Sequence, residues 1–451
     1  MTPCGIVVGS PTSSSTTDLV SSSESVVSLV SRCVRALGTT RVFAAPGHGL
    51  GSLEGLAFVD VASERAAIAL ADADGRLSVA PHARPGVALL PGRRLRISSL
   101  PGADVQPVSV AVEDLPAAIA GWSLGRVFGA IEIELPSDLG ATAPDGLQPL
   151  VVQRSDQLLR LSPSLADFAT MVLVGPGVVR DGATHDVVGF VERSGAGVMC
   201  TTGAVGIVPF DHPAWCGVVG LQADDPALGG LDACELVIAV GIDDTELGAS
   251  LPPDAQVLEV EPWHLPFLAA DWVVSPTPRR VSSLVEACAA VYADHRDDSS
   301  QPLHPVRAVL DLLDATDHDV TLLVDGGPVG LWFARGVVPV PAGRSIVSGS
   351  GGDGFAVAAA TIAAMDGNRA IAVTTPGGPL DDELLDLAAG LGLAVTVERW
   401  GDDVGAGDPA RHRADIVAAM ADPGVQVTSV AVDLSAGAEL VELMGPVVAW
   451  T

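Results

Sequence analysis

The sequence predicts an α/β protein of three successive domains, each built on a doubly wound parallel sheet. Three observations lead there. The chain has 451 residues, too many for one ordinary domain and suited to two or three. Apolar residues make up 48% and charged residues 18%, which is ample material for buried cores. Short Val- and Ile-rich runs alternate with Ala-rich stretches of helical spacing, a pattern that favours parallel strands with helices on both faces.

Linker composition sets the boundaries. Residues 1–23 are rich in Ser and Thr and read as a flexible N-terminal tail. The first domain spans 24–140 and is followed by the Pro-, Gly- and Asp-containing stretch 141–149. The central domain spans 151–293, and a second linker, Asp294 to Pro302, leads into the third domain, 303–451.

Within the first domain the spacing predicts a helix from Val26 to Leu37 and a strand from Arg41 to Ala45, then a turn at Pro46-Gly47-His48-Gly49. Phe58 to Val61 reads as a strand entering an Ala-rich helix, Glu64 to Ala73. Asp114 to Leu124 is helical, and Gly129 to Leu135 is a buried strand closed by Pro136. The central domain has strands at Met171–Val174, Gly197–Thr201, Leu236–Val240 and Gln256–Val260, with a helix at His185–Arg193. In the third, helices Pro305–Leu313, Phe355–Met365 and Asp381–Leu391 alternate with strands Val320–Val324, Ala370–Thr374 and Ala394–Val397.

Composition narrows the function. The formal charge is −31, and all 24 cationic residues are arginines. A field this negative repels phosphate backbones and anionic lipid, so neither nucleic acid nor a membrane surface is an expected partner. Without lysine there is no Schiff-base chemistry and no Walker-type contact to a nucleotide. The six cysteines are scattered without a C-x-x-C pair, consistent with reduced thiols in a cytoplasmic protein. No apolar run reaches the roughly 18–20 residues that a membrane span needs.

The third domain carries a resemblance. Leu322-Leu323-Val324-Asp325-Gly326-Gly327 is a strand ending in Asp and Gly, followed by Leu331-Trp332. Ser348-Gly349-Ser350-Gly351-Gly352-Asp353-Gly354 enters the Ala-rich helix at Phe355. In the central domain Val172 to Val178, Thr201 to Asp211, His212-Pro213 and Leu236 to Asp244 add to the pattern, as do Val42 to Gly47 and Ser63-Glu64-Arg65-Ala66-Ala67 in the first. In this order the motifs resemble the thiamine-diphosphate-dependent enzymes, and among them the acetolactate synthase large subunit, from about Glu24 to Ala431. The chain is similar to a divergent, shortened member, with pyrimidine-binding-like, central Rossmann-like and diphosphate-binding-like domains in succession.

The resemblance implies thiamine diphosphate and Mg²⁺ as cofactors, FAD as a further one that related synthases hold, and a homodimer or higher homo-oligomer. It places Glu64 as the carboxylate beside the aminopyrimidine ring, a general acid/base candidate. Its cofactor-binding positions fall on Pro46, Gly47, Asp325, Gly326, Ser348, Gly349, Gly377 and Gly378. The family binds magnesium through a Gly-Asp-Gly turn and an Asn pair, because a hard cation wants oxygen ligands. Here Pro376 stands at the Asp position, and Asp402 is the one substitute near the Asn pair. Asp381, Asp382 and Glu383 follow closely, either as a charged first helical turn or as a rebuilt metal site. Asp353 in the Gly-rich loop opposes a bound phosphate. The expectation is a degenerate acetolactate-synthase-like protein that is non-catalytic or has altered cofactor use, with a partner protein as an alternative role. The competing reading is an active 2-oxo acid carboligase or decarboxylase with a rebuilt metal site. His212 and Cys216 lack a second pair to complete a zinc site and read as structural.

Overall fold

The structure is a computed structural model that describes residues 24–78, 84–99, 105–124, 129–150, 162–243, 254–271, 282–336, 345–349, 354–401 and 410–450. The expected N-terminal tail, Asp353 and Asp402 lie outside the described residues.

Three parallel-dominated sheets follow one another along the chain. The first contains β1 (Arg41–Ala44), β2 (Ala57–Asp60), β3 (Gly86–Leu90), β4 (Arg94–Ser98), β5 (Val108–Ser109) and β6 (Ala130–Glu134), in the order β2-β1-β3-β4-β6-β5. Helices α1 (Val26–Ala36), α2 (Glu64–Leu77) and α3 (Leu115–Leu124) accompany it. Ser63 caps α2 by accepting from the Ala66 N–H, satisfying one of the donors that a helix start leaves open.

One strand departs from the all-parallel expectation. β4 runs antiparallel to both β3 and β6. Only Pro91-Gly92-Arg93 separates β3 from β4, and so short a connection cannot carry a parallel crossover. Gly92 and Arg93 both have positive φ, 75° and 63°, the left-handed backbone that a tight hairpin requires. The Pro- and Arg-rich stretch after α2, which matches nothing in the resemblance, therefore folds in part as a hairpin.

The central sheet is wholly parallel: β7 (Thr170–Val174), β8 (Gly197–Cys200), β9 (Trp215–Val218), β10 (Leu236–Val240) and β11 (Gln256–Val260), ordered β11-β10-β7-β8-β9. Every residue of β7 and β10 is buried, as expected when helices cover both faces. Its helices are α4 (Gly177–Arg180), α5 (Thr184–Ser194), α6 (Asp225–Gly229), α7 (Leu265–Asp271) and α8 (Ser283–His295).

The third sheet, β12 (Thr321–Val324), β13 (Ser345–Val347), β14 (Ala370–Thr374), β15 (Val395–Gly401) and β16 (Val425–Ala431), is also parallel, in the order β13-β12-β14-β15-β16. It carries α9 (Pro305–Ala315), α10 (Pro328–Ala334), α11 (Phe355–Met365), α12 (Pro379–Gly390), α13 (His412–Ala421) and α14 (Gly437–Met444).

The sheets do not stand apart. Ala66, Ala67, Leu70 and Ala71 of α2 share one apolar core with Ala356 to Ala363 of α11, so small residues let the two helices approach closely. Another core joins the central and third sheets, and there the Tyr292 hydroxyl donates to the Trp332 carbonyl at 2.6 Å. Buried polar contacts reinforce the second joint and tie α2 to the central sheet. Arg335 bonds Asp225 and Gln222, while Arg76 and Arg180 converge on Asp243. Breaking such a fully buried pair from one side leaves an uncompensated charge and costs about 3–5 kcal/mol.

Candidate functional site

Of the sequence-derived site residues, Asp325, Gly326, Ser348, Gly349, Gly377 and Gly378 lie at the carboxyl ends of β12, β13 and β14, Glu64 starts α2, and Pro46 and Gly47 follow β1. Strands β12 and β13 feed Asp325 and Ser348 into the same corner; β14 feeds the Thr374–Gly378 turn. Beside that corner, Ser63 at the cap of α2 donates to Glu383 Oε2 at 2.7 Å. Glu64, its neighbour, is thus carried on a helix whose start meets the first turn of α12.

Asp325 is buried, and both of its oxygens are used. Oδ1 accepts from the Ala356 N–H at 2.7 Å, and Oδ2 accepts from the Thr374 hydroxyl at 2.5 Å. Ala356 is the second residue of α11, so Asp325 caps that helix from a neighbouring strand. An exposed helix start would present open N–H donors to an anion; here a side chain of the chain itself takes one of them.

Asp381 completes the enclosure. It is 3% exposed and lies between the β14 turn and the start of α11. A Cβ built on Gly377 would stand 2.3 Å from Asp381 Oδ2, and one on Gly354 would stand 3.4 Å from Oδ1. The carboxylate therefore sits between the positive starts of α11 and α12, where the dipoles of both helices favour it. A diphosphate placed here meets Asp325 and Asp381, charge against charge.

The remaining positions are less engaged. Ser348 is buried, donates its N–H to the Val324 carbonyl, and accepts at its own carbonyl from Trp450 Nε1 at 3.0 Å. Gly326, Gly349 and Gly378 are half-buried, and Gly377 is exposed with Pro376. Pro46 and Gly47 form an exposed turn where a Cβ on Gly47 would meet nothing within 4 Å, and Gly49 lies against Arg93 of the hairpin. Among the described residues, Asp381 brings a carboxylate against the β14 turn at Gly377, while Asp325 is already bonded on both oxygens. One side-chain ligand is a poor match to the near-octahedral oxygen shell of Mg²⁺.

Glu64 lies outside this enclosure in its bonding. Its Oε1 takes Arg94 Nη2 at 2.6 Å, and Arg94 Nη1 reaches Glu132 at 2.8 Å. The sequence shows Glu64 but hides its partner, because Arg94 belongs to the hairpin that no motif announces. Trp450 and Thr374 were equally hidden; the only signal for either is a polar handle at the end of an apolar segment.

In the central sheet, the crevice between β7 and β10 is the topological switch point, where doubly wound sheets bind nucleotides. There the two strand ends stay close together through backbone contacts. Gly175 N–H donates to the Val240 carbonyl at 2.9 Å, and Gly177 N–H to the Gly241 carbonyl at 2.8 Å. A Cβ on Gly175 would lie 2.3 Å from the Gly241 carbonyl oxygen. Arg180, bidentate on Asp243, closes the region behind it.

Among the described residues one group has the composition of a metal site: His295, His304 and Glu439. Its chemistry is unsuitable. His304 Nδ1 accepts the Val306 N–H as the cap of α9, which leaves the ring proton on Nε2, the nitrogen that faces Glu439. The two rings also stack, 3.7 Å apart and 9° from parallel, so one ion cannot lie in both ring planes. Burial first, then the neighbouring His295, lowers the His304 pKa to about 4. The ring is a neutral helix cap.

Comparison with known proteins agrees with the architecture. Residues 168–264 match the central domain of thiamine pyrophosphate enzymes. The acetolactate synthase large subunit of Corynebacterium glutamicum is 28% identical over 179 residues, which is 39% of this chain and 26% of that protein. Acetolactate synthase of Mycobacterium leprae is 29% identical over 170 residues, 34% of this chain and 27% of that protein. The chain thus aligns with less than a third of the length of these curated relatives. A thiamine diphosphate-dependent 4-hydroxybenzoylformate decarboxylase of Rhodococcus jostii RHA1 has a similar fold, with a TM-score of 0.66 and 17% identity, over 91% of this chain and 99% of that one. No helix among the described residues is long and apolar enough to cross a membrane. The central domain is thus similar in sequence to that of thiamine pyrophosphate enzymes, acetolactate synthases are among the similar proteins, and the three-sheet architecture is shared with thiamine diphosphate-dependent enzymes.

Proposed function

We propose that this chain is a degenerate, non-catalytic relative of the acetolactate-synthase-like enzymes, a cytoplasmic body that assembles as a homodimer or with a partner protein. The observation that carries the reading is the Asp381 carboxylate between the starts of α11 and α12, joined by Asp325 on the Ala356 N–H. Helix dipoles and glycine turns that attract a diphosphate are satisfied by two carboxylates of the chain itself. Pro376 adds neither a ligand nor an N–H. Titration of the full chain with thiamine diphosphate and Mg²⁺ in a calorimeter gives no saturable heat on this reading. Magnesium-dependent binding overturns it.

One observation favours the active alternative. Glu64 stands at the first position of α2, and the adjacent Ser63 touches the third domain through Glu383. In that reading Glu64 relays the proton for a 2-oxo acid carboligase or decarboxylase. An activity that Glu64→Gln abolishes establishes the alternative.

A further inference from the structure

On the far side of the third sheet, α13 stands off from β15 and β16 and leaves a cavity of about 380 Å³. This is within the range of small-ligand sites. Its walls are mixed. Leu303, Ile416 and Val430 supply apolar surface; Glu398, Asp415 and Asp422 supply acid.

Glu398 is the unusual member. It points from the middle of β15 and is 1% exposed. Its Oε1 accepts twice, from Trp400 Nε1 at 2.6 Å and from His412 Nε2 at 3.1 Å. No described residue donates to Oε2, although Glu398 lines the cavity. That oxygen is not sealed in the core but is reached from the open space beside it, and this is where a donor belongs.

The surrounding charges say which donor. His412 is held between two carboxylates, Asp311 at Nδ1 and Glu398 at Nε2, both at 3.1 Å, so both ring nitrogens donate. Burial opposes the charged ring, but the bonds to Asp311 and Glu398 outweigh it and raise the pKa to about 9. Asp311 is further bonded by Arg307 and Arg413. That leaves one imidazolium facing the cavity against Glu398, Asp415 and Asp422, a net excess of negative charge. No arginine and no aromatic ring other than His412 lines it. Anions, including 2-oxo acids, are repelled, and there is no aromatic cage for a quaternary ammonium.

We propose that this cavity is a binding site for a short primary alkylammonium, whose N–H groups bond Glu398 Oε2 and whose chain lies against Leu303, Ile416 and Val430. The site is separate from the one at α11 and does not depend on whether thiamine diphosphate binds. Gln426 and Thr428 at the edge strand add polar groups for a substituent on the chain.

The test is calorimetric titration of the full chain with n-butylammonium chloride, compared with 1-butanol and sodium butyrate of similar length. The expected result is a single saturable site for the ammonium, with Kd of roughly 1 mM or tighter, and no saturation by the alcohol or the carboxylate. Glu398→Gln weakens binding about tenfold or more. Because that variant can also loosen His412 and Trp400, a second variant carries Asp415→Asn with Asp422→Asn, both on the rim. It lowers ammonium affinity about threefold and leaves the melting temperature within about 2 °C. Equal binding of butanol and butylammonium, absence of saturation, or unchanged affinity in a folded Glu398→Gln chain overturns the proposal.

Discussion

Asp325 and Glu398 are both buried carboxylates of the third sheet, yet they serve opposite ends. Asp325, at the end of β12, has a donor on each oxygen, one from the start of α11 and one from Thr374. Glu398, in the middle of β15, has both of its donors on Oε1 and turns Oε2 toward open space. The corner that family resemblance marks for a ligand is the closed one. The cavity that no motif announces is the one with an unmet acceptor. A polar site is thus recognised less by which residues it contains than by whether their hydrogen-bonding capacity is already consumed.

The comparison can be broken first at Asp325. Asp325→Ala removes a helix cap and strands the Thr374 hydroxyl in a buried place, an expected loss of about 3 kcal/mol in urea unfolding. Asp325→Asn keeps one acceptor and loses less. A loss below about 1 kcal/mol for the alanine variant would mean that the cap is not structural and that the corner is free to bind an anion.

The Glu398 side is sharpened by pH. The His412 pKa is raised to about 9 from an ordinary 6.5, so the folded state holds its proton more tightly than the unfolded chain. The resulting stability is fully present below pH 6.5 and is lost as pH rises through 9, by roughly 3 kcal/mol in all. Urea midpoints measured from pH 6 to 10 fall over that window, and His412→Gln removes the contribution. A midpoint that stays level for the parent chain contradicts the Asp311–His412–Glu398 arrangement.

The smallest effect belongs to Glu64. Its pair with Arg94 is about a third exposed, and solvent screens such bridges to less than about 1 kcal/mol. Glu64→Gln therefore leaves the melting temperature nearly unchanged. A large loss would show that the pair is a structural strut rather than a side chain available for chemistry.

Much of the fold was legible in the sequence because it follows from local periodicity. The helix at Phe355–Met365 and the strands at Leu236–Val240, Gln256–Val260 and Ala370–Thr374 lie where their spacing puts them. The β3–β4 hairpin escaped although Arg94-Leu95-Arg96-Ile97 alternates, because it lies in a Pro- and Arg-rich stretch and its arginines acquire acidic partners, Glu132 and Asp72, only once the sheet and α2 assemble. Edge strand β16 escaped as well, since its half-exposed residues carry a weak pattern.

By itself the sequence determined the three α/β units, the acidic lysine-free character, and the presence of Glu64 and Pro376. Each of these is a matter of residue identity and short-range spacing. Only the tertiary structure decided that Asp381 fills the space between two helix starts, that Asp325 is spent on a cap, and that Glu398 keeps a free oxygen beside a cavity. The physical reason is that hydrogen-bond capacity is consumed by groups far apart in the chain. Ala356 lies 31 residues from Asp325, and His412 lies 101 residues from Asp311; no local pattern records which donor reaches which acceptor.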